Sequence, residues 1–222
     1  MPQAAEAFQK AVEMNPGDKA GHVYLGNTWL ALYKGGSNSP QNLEFAKRAE
    51  SEFSRVLSVD PENWTAILSL GSLTFQEAQG MPDSPERVKL LEASRGWYET
   101  LVRLDPQRKE VYYSLGVIAW STWYPKWVSA RIQCGLKSGD AGPIPDAAIR
   151  HQLKDQYDST IENGIFNLQR VQASDPNYQN AVGYIDLFNR TRADLRDTNE
   201  EYLRDMQAAG QWMEKARQKE NR

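Results

Sequence analysis

Apolar residues recur along this chain at helical spacing, in blocks that end at prolines. The clearest run is Ile149, Leu153, Tyr157, Ile161, Ile165 and Leu168. It steps by three or four residues and so lays one apolar stripe along a single long helix. The punctuation is an acidic or amide residue followed by proline: Asn15-Pro16, Asp60-Pro61, Asp105-Pro106 and Asp175-Pro176, with 45, 45 and 70 residues between successive prolines. Proline lacks an N–H and pushes its predecessor out of the α region, so each pair ends a helix. The pattern predicts helices up to Met14 and over 18–34, 41–59, 62–79, 84–104 and 107–123. It then predicts a short helix over 125–134, opened by Pro125 and closed by Gly135. A loop over 135–145, rich in Gly, Pro and Asp, and helices over 146–173, 177–194 and 197–218 complete the chain.

Columns of residues line up on these prolines. Ten residues after the first three stands a glycine preceded by leucine: Leu25-Gly26, Leu70-Gly71 and Leu115-Gly116. Eight before each proline is a large side chain (Phe8, Phe53, Tyr98, Leu168), and twelve before is a small one (Ala4, Ala49, Ser94, Gly164). Five before is an apolar one, Ala11, Val56, Leu101 or Val171. Small residues let two helices approach closely, and a large one a turn away fills the space beside them.

Leu-Gly in a first helix, Ala-x3-Phe in a second and a terminal proline resemble the tetratricopeptide repeat (TPR), over nearly the whole chain. The resemblance implies an all-α fold: a right-handed superhelical solenoid of antiparallel helix hairpins, here with lengthened repeats. A single domain over 1–222 is expected. Its units are a partial one at 1–17, then 18–61, 62–106, 107–176 with an insertion at 122–146, and C-terminal degenerate or capping helices at 177–222. The family period is 34 residues. The first two intervals therefore add about 11 residues each, around Gly35–Pro40 and Gly80–Pro85, between the two helices of a hairpin. The last repeat replaces Leu-Gly by Ile185-Asp186, as a degenerate or capping unit would.

Composition narrows the function classes. With 26 basic and 29 acidic residues the net charge is −3, which argues against a nucleic-acid surface. No apolar run approaches the ~18 residues needed to span a bilayer. Cys134 is the only cysteine, so neither an internal disulfide nor a cysteine metal cluster is expected. The compartment is left open. The first residues enter a helical pattern in mid-stride with no signal peptide, which suggests truncation and leaves an exported, cell-envelope origin possible.

Catalysis needs a nucleophile with a base, a metal set or a phosphate cradle. His22 and His151 lie in different repeats without an i, i+4 partner, and no nucleotide-binding or nucleophile-elbow motif occurs. No enzymatic activity, cofactor or metal is expected. The expected role is a scaffold or adaptor for a protein or peptide partner, and the alternatives are a module that stacks on its own copies through open repeat ends or a regulatory subunit of a separate enzyme.

The TPR resemblance further implies that the first helix of each hairpin lines a concave groove. The inward positions give a candidate site of Val23, Asn27 and Leu30, then Leu68, Ser72 and Phe75, then Tyr113, Val117 and Trp120. The carboxylate clamp known in the family requires Lys, Asn and Arg, and only Asn27 matches. Val23, Ser69, Glu110 and Ser114 occupy the other clamp positions, so an acidic C-terminal tail is a poor ligand and an apolar or amphipathic peptide a better one. The alternative is that the 122–146 insertion covers the groove. Trp120, Trp123 and Trp127, beside Tyr124, are too much aromatic surface to leave in water together. They are either packed inside the chain or form an interface anchor.

Overall fold

The computed structural model describes residues 2–137 and 139–220, and among them the secondary structure is helical throughout. The helices are α1 (Pro2–Met14), α2 (Lys19–Leu32), α3 (Pro40–Val59), α4 (Trp64–Gln79), α5 (Pro85–Leu104), α6 (Lys109–Gln133), α7 (Ala147–Ser174), α8 (Gln179–Ala193) and α9 (Asn199–Glu220). They fall into two compact units, Met1–Pro106 with α1–α5 and Gln107–Arg222 with α6–α9. In each unit the helices pack as hairpins: α2 on α3 and α4 on α5 in the first, α6 on α7 and α8 on α9 in the second.

The helix boundaries have local causes. Asp18, Ser39, Asn63, Ser84 and Asp146 each accept a backbone N–H of the following first turn, removing one orphan donor. Pro40 and Pro85 sit in that turn, where a missing N–H costs nothing. At the other end, Asp60, Asp105 and Asp175 close α3, α5 and α7 before prolines that cannot continue the helix. Two of these acids also clasp a hairpin. Lys19 at the start of α2 reaches Asp60 (3.1 Å), and Lys109 at the start of α6 reaches Asp175 (2.6 Å). The Asn63 amide, then the Lys19 ammonium, hold the Asp60 carboxyl below its usual range.

The repeated columns meet one another at the seam of each hairpin. A Cβ built on Gly26 would lie 2.7 Å from the Phe53 ring, one on Gly71 3.0 Å from Tyr98, and one on Gly116 2.6 Å from Leu168. The glycine therefore admits the large side chain, and Phe53 and Leu168 are fully buried there. The small column works at the same range. Ser94 is buried and donates its hydroxyl to the Gly71 carbonyl at 2.8 Å, while Gly164 meets the ring of Phe188 on α8.

The added residues of the first unit pack as loops against each other. Gly36 adopts a left-handed conformation (φ +82°) against Gly80, and a Cβ at Gly80 would collide with the Gly36 backbone. Asn42, buried on α3, holds the 34–37 turn by accepting from the Lys34 N–H and donating to the carbonyls of Lys34 and Ser37, all at 2.8 Å.

The second unit departs from the expected boundaries. Helices over 107–123 and 125–134 are one helix, α6, with Pro125 in its interior. An interior proline costs about 3 kcal/mol in lost hydrogen bonding and steric clash, and tertiary anchors on both sides of it offset this. Trp123 is fully buried and donates to Thr191 at 2.8 Å. Trp127 donates to Asp194 at 3.0 Å, and Arg131 pairs with the same carboxylate at 2.5 Å.

The rest of the insertion follows that anchor to the α8–α9 turn. Ile144 is fully buried and donates its N–H to the Asp194 carbonyl, and the Gly142 N–H reaches the Tyr202 hydroxyl. Arg131 also donates to the carbonyls of Lys137 and Asp140, which ties the loop to its own helix. Burial pushes the Asp194 carboxyl up, against the opposing pull of the Trp127 indole and the Arg131 guanidinium. Three residues on, Lys154 and Arg150 bring Asp197 down to about 2.

Candidate functional site

In the first unit the candidate residues lie on α2 and α4, which touch each other. Val23 and Leu30 are half-buried and pack against the core built on Phe53, Ala49 and Leu70, so part of this face is structural. Leu68 is 37% exposed, and Ser72 and Phe75 are half-buried beside it. Asn27 is not free, since its amide oxygen accepts the Ser69 hydroxyl at 2.9 Å. That bond joins α2 to α4 and fixes the Asn27 side chain through its amide oxygen. Near the far end of α4, Glu77 is half-buried, and burial followed by the neighbouring Glu50 raises its carboxyl. The face is thus apolar, aliphatic apart from the Phe75 ring, with a few hydroxyl and amide groups and no basic side chain among its candidate residues.

In the second unit Tyr113, Val117 and Trp120 lie on α6, beside α8. They are joined by residues outside the nine candidate positions. Tyr113 contacts Tyr178 (ring centroids 5.0 Å) and Tyr184 (6.0 Å), and Trp120 contacts Tyr184 (6.2 Å) and the buried Phe188 (5.2 Å). The row continues from Trp120 to Tyr124 (5.0 Å) and from Tyr124 to Trp127 (5.7 Å). Aromatic rings at these separations attract one another beyond their burial. Tyr124 is 43% exposed, Leu187 on α8 is 41% exposed, and Tyr113, Val117, Trp120, Trp127, Tyr178 and Tyr184 are half-buried.

The three tryptophans divide accordingly. Trp123 belongs to the core, whereas Trp120 and Trp127 each present part of a ring to the surface. Tyr178 and Tyr184 gave little signal in sequence because they stand outside the inward column of their repeat. An aromatic next to the degenerate Ile185-Asp186 pair was the available clue.

The histidines are structural in their contacts. His22 is buried between the Glu52 carboxylate (2.5 Å) and the Pro16 carbonyl (3.1 Å), and His151 lies on the surface 3.4 Å from Asp197. Among the described residues no group of three or more His, Cys, Asp or Glu side chains is placed to hold a metal ion. No described helix is long and apolar enough to cross a membrane.

Hairpins with Leu-Gly against a large side chain, closed by Asp-Pro, define a TPR-type fold. One solved structure supports this fold. The chain is similar to the crystal structure of MamA, at 14% identity over 96% of this chain and 89% of that one, with a TM-score of 0.55. It also aligns with the crystal structure of YrrB, a TPR protein with an unusual peptide-binding site, at 16% identity over 99% of this chain and 100% of that one. The TM-score there is 0.41, too low to establish a shared fold. At these identities the likeness is one of fold. No family model and no curated protein matches the sequence.

Proposed function

We propose that this chain is a non-catalytic scaffold that binds peptide segments of other proteins on the faces formed by α2 with α4 and by α6 with α8. The observation that carries this reading is the row of partly exposed aromatic side chains along α6 and α8. Tyrosine and tryptophan combine large contact area with a polar tip and dominate the energetics of protein interfaces. Leu68, Ser72 and Phe75 give the first unit a smaller, more aliphatic face suited to an apolar side chain.

The test is site-specific photo-crosslinking. A photoreactive residue is placed at Leu68 in one variant and at Tyr124 in another, and the adducts formed in lysate are identified. The expected result is one or a few defined proteins whose capture at Leu68 is lost on Phe75→Ala and at Tyr124 on Trp120→Ala. Adducts that are the same from a photoreactive residue at an exposed position such as Gln41 would overturn the proposal.

A further inference from the structure

The outer end of the aromatic row is held from outside the row. Trp127 donates its indole N–H to the Asp194 carboxylate at 3.0 Å. The Arg131 guanidinium, paired with the same oxygen, lies 5.1 Å from the centre of the Trp127 ring. A carboxylate thus fixes the edge of the indole while a cation rests against its ring. On its other side Trp127 meets Tyr124, and Tyr124 meets Trp120. A rotation of the Trp127 ring therefore removes a neighbour of Tyr124, which is 43% exposed.

Both holders of Trp127 are themselves held by the loop that follows α6. Arg131 donates through Nη2 to the carbonyls of Lys137 (2.8 Å) and Asp140 (2.7 Å). Its buried Nε has no hydrogen-bond partner among the described residues. Withdrawing the loop would leave Nη2 bare as well, a cost that only a rearranged side chain relieves. Asp194 is tied through its main chain, where its carbonyl accepts the Ile144 N–H at 2.9 Å. The Ile144 side chain is fully buried, its carbonyl accepts from Arg150 at 2.7 Å, and the Gly142 N–H reaches the Tyr202 hydroxyl at 3.1 Å. These contacts are discrete and lie on irregular backbone, in which Gly135 and Gly142 take left-handed conformations. A segment fastened at a few such points docks or opens as a unit.

Resting on the peptide-binding reading above, we infer that the loop after α6 regulates the α6–α8 face. Docked on the α8–α9 turn, it holds Trp127 in the aromatic row through Arg131 and Asp194. Released from that turn, it frees Trp127 and weakens the face for its peptide. Coupling between two sites is reciprocal, so a peptide seated on Trp127 and Tyr124 tightens the loop in return.

The experiment uses the full chain labelled with 5-fluorotryptophan and followed by fluorine NMR, with the Trp127 resonance assigned by Trp127→Phe. Ile144→Ala and Tyr202→Phe alter the anchors of the loop and no residue of the row. Both should move the Trp127 resonance towards its position in the unfolded chain, Ile144→Ala further, and Ile144→Val should restore it. Val171→Ala, at an equally buried position on α7, should leave it in place. In the photo-crosslinking experiment, the Tyr124 adducts that depend on Trp120 should fall about tenfold in Ile144→Ala, within the usual range for coupled sites. A Trp127 resonance that Tyr202→Phe leaves unmoved, or that Val171→Ala moves as far, overturns the inference, and Tyr202→Phe decides the matter if Ile144→Ala does not fold. Adduct yield that stays constant while the resonance moves also overturns it and leaves the scaffold reading intact. Absence of any Trp120-dependent adduct in the unaltered chain removes the scaffold reading for the second unit and the inference with it.

Discussion

The two units are built on the same seam and finished differently. In both, a glycine on the first helix of a hairpin receives a large side chain from the second, as Gly26 receives Phe53 and Gly116 receives Leu168. The candidate faces of the first helices differ: aliphatic, hydroxyl and amide groups around the single ring of Phe75 on α2 and α4, a row of tyrosine and tryptophan on α6 and α8. Their long connections are also secured by different means. In the first unit, glycine backbones in contact and the Asn42 amide hold the loops, whereas in the second a buried ion pair holds the insertion. The seam specifies the fold and tolerates little change, which leaves the outward positions free to specify different ligands.

The largest effect should come from the buried Arg131–Asp194 ion pair of the second unit. Asp194→Ala leaves the Arg131 guanidinium buried without its carboxylate, and losing one partner of such a pair costs about 3–5 kcal/mol. In urea unfolding of the full chain, the second unit should melt first and separately. An unchanged profile would mean that Arg131 is sustained by the Lys137 and Asp140 carbonyls alone.

Next in size is the shared seam. Gly26→Leu and Gly116→Leu both force a side chain into filled space, and overpacking costs about 1–3 kcal/mol. The Gly26 change should be the more severe, because the rigid Phe53 ring has fewer ways to withdraw than Leu168. Equal loss in the two variants, measured by denaturant midpoint, would show that the seams relax alike whatever fills them.

Asn42→Ala tests the first unit's own device. It removes the side chain that satisfies three backbone groups of the turn and should cost about 1–3 kcal/mol. The matching readout is faster amide exchange at Lys34, confined to the first unit.

The smallest effect has a defined pH dependence. Glu77 is raised in the folded chain, so the fold binds its proton more tightly than the unfolded chain does. Its favourable contribution is present below the unfolded carboxyl range and lost as pH rises through the folded value. Glu77→Gln should therefore raise the melting temperature slightly at pH 7 and leave it nearly unchanged at pH 4. A larger gain at pH 4 than at pH 7 would contradict the assignment.

Most of the fold was legible because it rests on pairs that the sequence repeats at fixed spacing. The columns of Gly26, Gly71 and Gly116 and of Phe53, Tyr98 and Leu168 could be read before any coordinates, and the structure added that each glycine meets the large side chain of its own hairpin. The helix start at Pro85, the ends near Gln79 and Leu104, and the loop before Ala147 also followed from local chemistry. Pro125 misled because its local preference for a helix start was overruled by Trp123, Trp127 and Arg131, whose partners lie more than sixty residues away. The candidate face was legible only in part for the same reason. Tyr113 and Trp120 stand in the repeat column, but Tyr178 and Tyr184 join them through the packing of α8 on α6, which no spacing on α6 reveals.

The contact between Gly36 and Gly80 bears on how such a chain can be altered. These two connections touch main chain to main chain, with no side chain between them to yield. A repeat of this length is consequently not an interchangeable brick: cutting out one, or splicing in one of ordinary length, would leave its neighbour's loop facing solvent with nothing to lean on. The first two hairpins have therefore to be inherited, transplanted or redesigned as a pair.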